Sequence, residues 1–268
     1  MSFPDIHSPP VVLVIAGSDS GGGAGIQADI KAISAMGAFA TTAITAVTAQ
    51  NTLGVQAVHT LPANMVTSQI NAISEDMKIR AIKTGMLANR AIIEAVIEAC
   101  SKLRPLPLIV DPVIYSQTGH RLLDENAIDL MLEKLFPMAD LITPNATEAE
   151  RLLGETVTTL AQAEKACHTL MRFGPKAVLL KGGHMETDKA TDVLYHNGAY
   201  QYFETERIPS PHTHGGGDSF ASAIAAHLAH GRPLEHSVRE AKRFITEAIQ
   251  HGLAIGHGPG PVNGLYRV

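Results

Sequence analysis

A short apolar run that stops abruptly at a polar residue recurs along this chain of 268 residues, and no other feature limits its possible folds so narrowly. Val11 to Ala16 stops at Gly17-Ser18-Asp19, Ala40 to Val47 at Thr48-Ala49-Gln50-Asn51, and Ala81 to Thr84 at Gly85-Met86-Leu87. Leu108 to Val110 stops at Asp111-Pro112, Leu141-Ile142 at Thr143-Pro144-Asn145, and Ala177 to Leu180 at Lys181-Gly182-Gly183-His184. Runs of this length without alternation are the mark of strands buried on both faces. Helical segments are predicted at Ile26 to Met36, Ala88 to Lys102, from Asn145 to near Gly154, Leu160 to Phe173, and Leu234 to Gln250, and Asn197-Gly198 joins an edge hairpin of Asp192 to His196 and Tyr200 to Phe203. This βα alternation predicts one doubly wound α/β domain over residues 1–268, with ligands at the carboxyl ends of its strands.

Two glycine-rich loops stand out against that frame. Thr213-His214-Gly215-Gly216-Gly217-Asp218-Ser219-Phe220 runs into a helix whose apolar period is Phe220, Ile224 and Leu228. Glycines at a helix start let backbone N–H groups converge, and the helix dipole favours an anion there. Asp218 is out of place in an anion site unless its carboxylate takes a proton from an acceptor hydroxyl while Gly215, Gly216 and Gly217 hold a phosphoryl group. An Asp capping a core helix fits the same residues. The other loop, Gly17 to Gly25, contains Gly23-x-Gly25-x-x-Ala28, a poor match to a dinucleotide fingerprint: the turn is too long, and no acidic residue ends the next strand.

The polar residues at strand ends supply the remaining chemistry. Gln50 can hydrogen-bond a heterocycle or simply face water. Asp111, ending a buried strand, needs a partner for its charge, and magnesium or a magnesium-bound water is one candidate. Asn145 with Glu148 three residues on reads as a capping box, and Glu148 can serve a second role. Lys181 ends a buried run, where an unpaired ammonium is costly and a triphosphate would compensate it. There is no Gly-x-x-x-x-Gly-Lys-[Ser/Thr], so a phosphoryl-transfer enzyme built from these parts is not of the P-loop kind.

Composition narrows the partners. The formal net charge of −5 provides no basic excess for nucleic acid or anionic membrane. No apolar segment is long enough to span a bilayer, and none reads as a leader. Two cysteines, Cys100 and Cys167, make no disulfide framework, which suits the cytoplasm, and the 13 histidines are scattered, without metal spacing, and read mostly as surface or loop residues.

Taken in order, the motifs Ile15 to Asp29, Thr45 to Thr52, Lys83-Thr84-Gly85-Met86-Leu87, Val110-Asp111-Pro112-Val113, Ile142 to Asn145, Lys181 to His184 and Gly256 to Val262 resemble the ribokinase-like kinases. Within them the series is similar to the hydroxymethylpyrimidine/phosphomethylpyrimidine kinases of thiamine biosynthesis. The resemblance covers nearly the whole chain. It implies a three-layer α/β/α sandwich with a mostly parallel sheet, commonly a homodimer, that uses ATP and Mg2+ to phosphorylate 4-amino-5-hydroxymethyl-2-methylpyrimidine and then its monophosphate. By position it assigns Gln50, Gly17 and Met86 to the pyrimidine, Lys181, Thr143 and Asn145 to ATP, and Asp111 and Glu148 to magnesium. Gly215 to Gly217 become the anion hole and Asp218 the base. The pyrimidine kinases usually read His-Gly-Thr-Gly-Cys at the anion hole, whereas Gly216 and Asp218 stand here in place of the threonine and the cysteine. The sugar kinases of the wider superfamily use aspartate at that point, so a pyridoxal-type or sugar kinase is the alternative acceptor reading. A catalytically silent pyrimidine- or nucleotide-binding regulator is the alternative from another class.

Overall fold

The computed structural model describes residues 8–183 and 189–266. His184 and the amino-terminal Met1 to Asp5 stretch lie outside the described residues. The first βα unit is strand β1 (Val11–Asp19) followed by helix α1 (Gly25–Ala35), and strand β2 (Phe39–Asn51) turns back into β3 (Gly54–Thr60). Helix α2 (Ala63–Ser74), β4 (Ile79–Thr84), α3 (Arg90–Lys102) and β5 (Leu108–Val110) follow, then α4 (Glu125–Leu130), which runs on through a π-helical turn. The second half comprises β6 (Leu141–Ile142), α5 (Ala146–Leu153), α6 (Leu160–Leu170), β7 (Ala177–Leu180), the hairpin β8 (Lys189–His196) and β9 (Ala199–Glu206), and helices α7 (Gly216–Ala229) and α8 (Leu234–Gln250).

These nine strands form one sheet in the order β3-β2-β1-β4-β5-β6-β7-β8-β9. The inner strands are parallel, and antiparallel pairing closes each side: β2 with β3 on one, and β7 with β8 and β8 with β9 on the other. The residues of β1 divide by parity. Leu13 and Ile15 face α2, α3, α5 and α6, while Val12, Val14 and Ala16 face α1, α7 and α8. This two-sided burial makes the run continuously apolar and yields the predicted three layers. Cys100 on α3 and Cys167 on α6 are buried and unpaired, and no helix among the described residues is long and apolar enough to cross a membrane.

β3, α2 and α4 have no counterpart among the predicted elements, and two predicted stretches have different bounds. β2 continues beyond Val47 to Asn51 because its far end pairs with β3, so Gln50 lies on an antiparallel ribbon rather than in a loop. The helix expected from Ala88 begins at Arg90. Its cap is Asn89, whose side chain accepts from the Ile92 N–H at 3.0 Å.

Candidate active site

The carboxyl ends of β1, β4, β5, β6 and β7 open into a cleft of about 980 Å³, roofed on one side by the amino end of α7. The sheet delivers its polar strand ends here because the parallel ladder stops where each apolar run stops. All the residues expected at the site line this cleft except Thr143, which is buried directly behind Asp111.

Gly215 caps α7 at φ 73°, a left-handed conformation, and a Cβ there would overlap the Gly23 carbonyl oxygen. The two glycine loops therefore press against each other. One correction applies to the anion hole: the Gly216 N–H is spent on Thr213 O at 3.1 Å. The Gly217 and Asp218 N–H groups begin the helix without hydrogen-bond partners among the described residues, so those two amides carry the dipole's positive end into the cleft. A Cβ on Gly217 would come within 3.2 Å of Lys181 Nζ, which places that ammonium beside the same amides.

Lys181 is not the lone cation that its position at a strand end suggests. Its Nζ donates to Asp111 Oδ1 at 2.7 Å, and Thr143 Oγ1 donates to the same oxygen at 2.7 Å. Burial alone would raise the Asp111 carboxyl, but Lys181 and Lys83 outweigh it and hold the group below its usual range. Asn145 and Glu148 form the expected capping box: Glu148 N–H donates to Asn145 Oδ1 and Asn145 N–H to Glu148 Oε2, each at 2.8 Å. Burial pushes the Glu148 carboxyl up to about 8, against the pull of Lys181 and with a further push from Asp111. No cluster of three metal-binding side chains occurs among the described residues. Two carboxylates, each with one oxygen free of donors among those residues, suit an ion such as Mg2+, which is held by one or two carboxylates and completes its shell with water and phosphate oxygens.

At the opposite wall, Thr48 Oγ1 donates to Gln50 Oε1 at 3.2 Å, and Gln50 Nε2 lies 3.3 Å from His214 Nε2. An amide oxygen accepts twice and its nitrogen donates twice, so Gln50 keeps at least one donor and one acceptor for a ligand. Gly17 and Met86 form the floor: a Cβ on Gly17 would stand 2.9 Å from Met86 Sδ.

The loop after β1 answers the dinucleotide question. Its amides already bind an anion, the chain's own Asp19: Gly21 N–H donates to Oδ1 at 2.8 Å, and the Gly23 and Ala24 N–H groups donate to Oδ2 at 3.0 and 2.8 Å. His214 Nε2 approaches the same Oδ2 at 3.2 Å, so this histidine is a structural part of the site rather than a scattered loop residue.

Lys83 and Asp29 fall within the motifs that carry the family resemblance, but sequence reasoning gave neither a role. Asp218 Oδ1 meets Lys83 Nζ at 3.2 Å, and Asp29 Oδ1 meets the same ammonium at 2.8 Å. Both Lys83 and Asp29 are fully buried. Burial would lower the lysine's affinity for its proton, but Asp29 and Asp218 reverse this and hold it above the usual range, while burial pushes Asp29 up to about 7 in spite of Lys83. A lysine inside the apolar run Ala81 to Thr84 was the available signal.

The chain is similar to known proteins over nearly its whole length. The family model described as phosphomethylpyrimidine kinase matches residues 19–263. A hydroxymethylpyrimidine/phosphomethylpyrimidine kinase of Mycobacterium tuberculosis is 44% identical over 263 residues, 97% of this chain and 96% of that protein. A thiamine biosynthesis bifunctional protein of Geobacter sulfurreducens is 44% identical over 252 residues, and there the match takes in 94% of this chain but 51% of the relative, so the chain spans about half that relative's length. Among solved structures, an ADP complex of Bacillus subtilis pyridoxal kinase superposes with a TM-score of 0.91 at 32% identity, covering 97% of this chain and 100% of that one.

Proposed function

This chain belongs to the phosphomethylpyrimidine kinase family, and on that premise we propose that it transfers the γ-phosphoryl group of ATP to the hydroxymethyl oxygen of 4-amino-5-hydroxymethyl-2-methylpyrimidine, and then a second phosphoryl group to the resulting monophosphate. The observation that carries the reading is the placement of Gln50, with a spare donor and a spare acceptor, across one cleft from the Asp218 carboxylate and from the two amides at the start of α7 that have no partner among the described residues.

In this reading Gln50 pairs with the amino group and ring nitrogen of the pyrimidine above the Gly17 and Met86 floor. Asp218 accepts the hydroxymethyl proton as the oxygen attacks the γ-phosphorus, and the bond to the β-phosphate oxygen breaks toward ADP. The Gly217 and Asp218 N–H groups donate to the oxygens of the moving phosphoryl group, where the charge is greatest. Lys181, with Thr143 and Asn145 behind it, holds the nucleotide phosphates. Asp111 and Glu148 would hold Mg2+, which supplies charge neutralisation on those phosphates. A homodimer, as the resemblance implies, belongs to the same proposal, and the molecular mass in solution checks it.

Pyridoxal as acceptor is the second reading, favoured by the high structural similarity to a pyridoxal kinase. Initial rates with purified protein, ATP and each acceptor decide between them. The pyrimidine is expected to give the higher kcat/KM. Gln50→Ala is expected to raise the pyrimidine KM about tenfold, the worth of roughly one net hydrogen bond, and to leave the ATP KM within about twofold. A higher kcat/KM for pyridoxal, or equal effects of Gln50→Ala on both KM values, would sink the assignment.

A further inference from the structure

A buried charge cluster lies against Asp218 on the side away from solvent. Lys83 on β4 is fully buried, and its Nζ is shared between Asp29 on α1 at 2.8 Å and Asp218 on α7 at 3.2 Å. Ser222, one turn along α7 from Asp218, donates to Asp29 Oδ1 at 2.6 Å, while Asp29 Oδ2 is buried without a hydrogen-bond partner among the described residues. The other oxygen of Asp218 accepts from the Gly25 N–H at 3.1 Å. Each of three packed elements contributes one member to the cluster.

Stability does not explain such a cluster. Removing two carboxylates and an ammonium from water is expensive, and well-packed apolar residues of similar volume commonly serve as well or better. Its geometric consequence is specific. With Lys83 on one oxygen and the Gly25 amide on the other, the Asp218 carboxylate cannot swing about its side-chain torsions, so its remaining lone pairs keep a fixed direction relative to the amides of Gly217 and Asp218. A misplacement of about 1 Å at a reacting group can cost on the order of 10²-fold in rate.

Resting on the reading of Asp218 as the base, we propose that Lys83 is the positioning residue for that base, and that Asp29 is the counter-ion that sets how strongly Lys83 holds it. The other charges acting here are Lys181 and Glu148, which act on Asp218 from the ends of β7 and the start of α5, and Asp111, which acts on Lys83. All three stay in place in the variants below, so the Asp29, Lys83 and Asp218 set can be perturbed alone.

The two ends of the cluster predict opposite effects. Lys83→Met removes a cation from beside the base, so the acid limb of the kcat profile for the hydroxymethylpyrimidine with ATP and Mg2+ should move to higher pH. In that variant kcat should fall by about 10- to 100-fold, while the acceptor KM stays within about threefold. Asp29→Asn keeps an acceptor for Ser222 but leaves Lys83 wholly to Asp218, so the limb should move to lower pH. A merely structural cluster would lower the melting temperature in both variants and move neither limb. That result, or two shifts in the same direction, overturns the proposal. Should Lys83→Met fail to fold, the limb of Asp29→Asn decides alone. Asp218→Asn in the same assay separates the two levels. If it keeps its rate, the base assignment falls and the positioning role falls with it. If it loses about 10²-fold or more while both limbs stay fixed, the base stands and only the positioning role is overturned.

Discussion

The two acceptors ask different things of Asp218. A hydroxymethyl group must lose a proton as the phosphoryl group arrives, and a positioned base typically contributes about 10²- to 10⁴-fold to such a step. A phosphate monoester has its second pKa near about 6 and is mostly a dianion at neutral pH, with no proton to give. Each unit of negative charge on that dianion, at about 5 Å from the carboxylate, is opposed by roughly 3 kcal/mol at an effective dielectric of about 20, before nearby cations offset it. Asp218→Asn is therefore expected to slow phosphorylation of the hydroxymethyl compound by about 10²-fold or more while leaving that of the monophosphate much less affected, or faster. Separate assays of the two half-reactions check this, and equal losses would mean that Asp218 acts through loop geometry. Asp218 was visible in the sequence because it follows a glycine turn, and Asp111 and Lys181 because each terminates an apolar run. Lys83 was hidden for the opposite reason. It sits inside its run, and the partners that give it meaning, Asp29 and Asp218, come from residues far away in sequence and adjacent only in the fold.

At the scale of the element, α5 combines a local structural job with a chemical one. Glu148 closes the capping box through one oxygen, and burial holds its carboxyl up at about 8. An acid whose folded pKa is raised above its unfolded value binds more protons when folded. Its stability contribution is present below the ordinary carboxylate range and is lost as pH rises through about 8. Without magnesium, the melting temperature of the wild type should fall over that window, and Glu148→Gln should flatten the fall because a neutral amide can still accept from the Asn145 N–H. The same variant should raise the Mg2+ concentration needed for half-maximal activity by at least about tenfold. An unchanged magnesium requirement would leave Glu148 as a cap alone. The capping box was legible because its signature is local, with two residues at a fixed spacing. β3, α2 and α4 were not: β3 is an edge strand with no buried residue and no apolar run, α2 buries only Val66 and Ile70, and α4 loses its helical period at the π-helical turn from Met131 to Leu135.

Over the whole molecule, the site depends on joining the two ends of the chain. The loop after β1 and the loop before α7 lie about 190 residues apart, yet Gly25 reaches Asp218, Gly215 packs on Gly23, and Asp19 meets His214. The tail locks the second loop from outside, since His214 N–H donates to Gly260 O at 3.2 Å and Val262 N–H to His214 O at 3.1 Å. Asp19 is the central member of this joint: its carboxylate satisfies three backbone amides of one loop and touches the histidine of the other. Burial would raise that carboxyl, but His214 and the amides of Ala24 and Gly21 outweigh it and hold it below the usual range. Its contribution is therefore present above the unfolded carboxylate pKa and is lost only as pH falls through the lower folded value. Asp19→Asn places an NH₂ among N–H donors and removes the charge that attracts them. A cost of about 2–4 kcal/mol follows from the loss of charge-assisted hydrogen bonds in a partly buried site. In a domain of this size that lowers the melting temperature by about 5–15 °C at neutral pH. The difference from wild type should shrink toward low pH, where the wild-type carboxylate is itself protonated. Because Gln50 and Asp218 are held by the same two loops, the folded fraction of the variant should also show a higher acceptor KM. Thermal melts across the acid range, with acceptor kinetics below the variant's transition, would measure both. A loss of stability with unchanged kinetics would mean that the joint holds the chain together without setting the site.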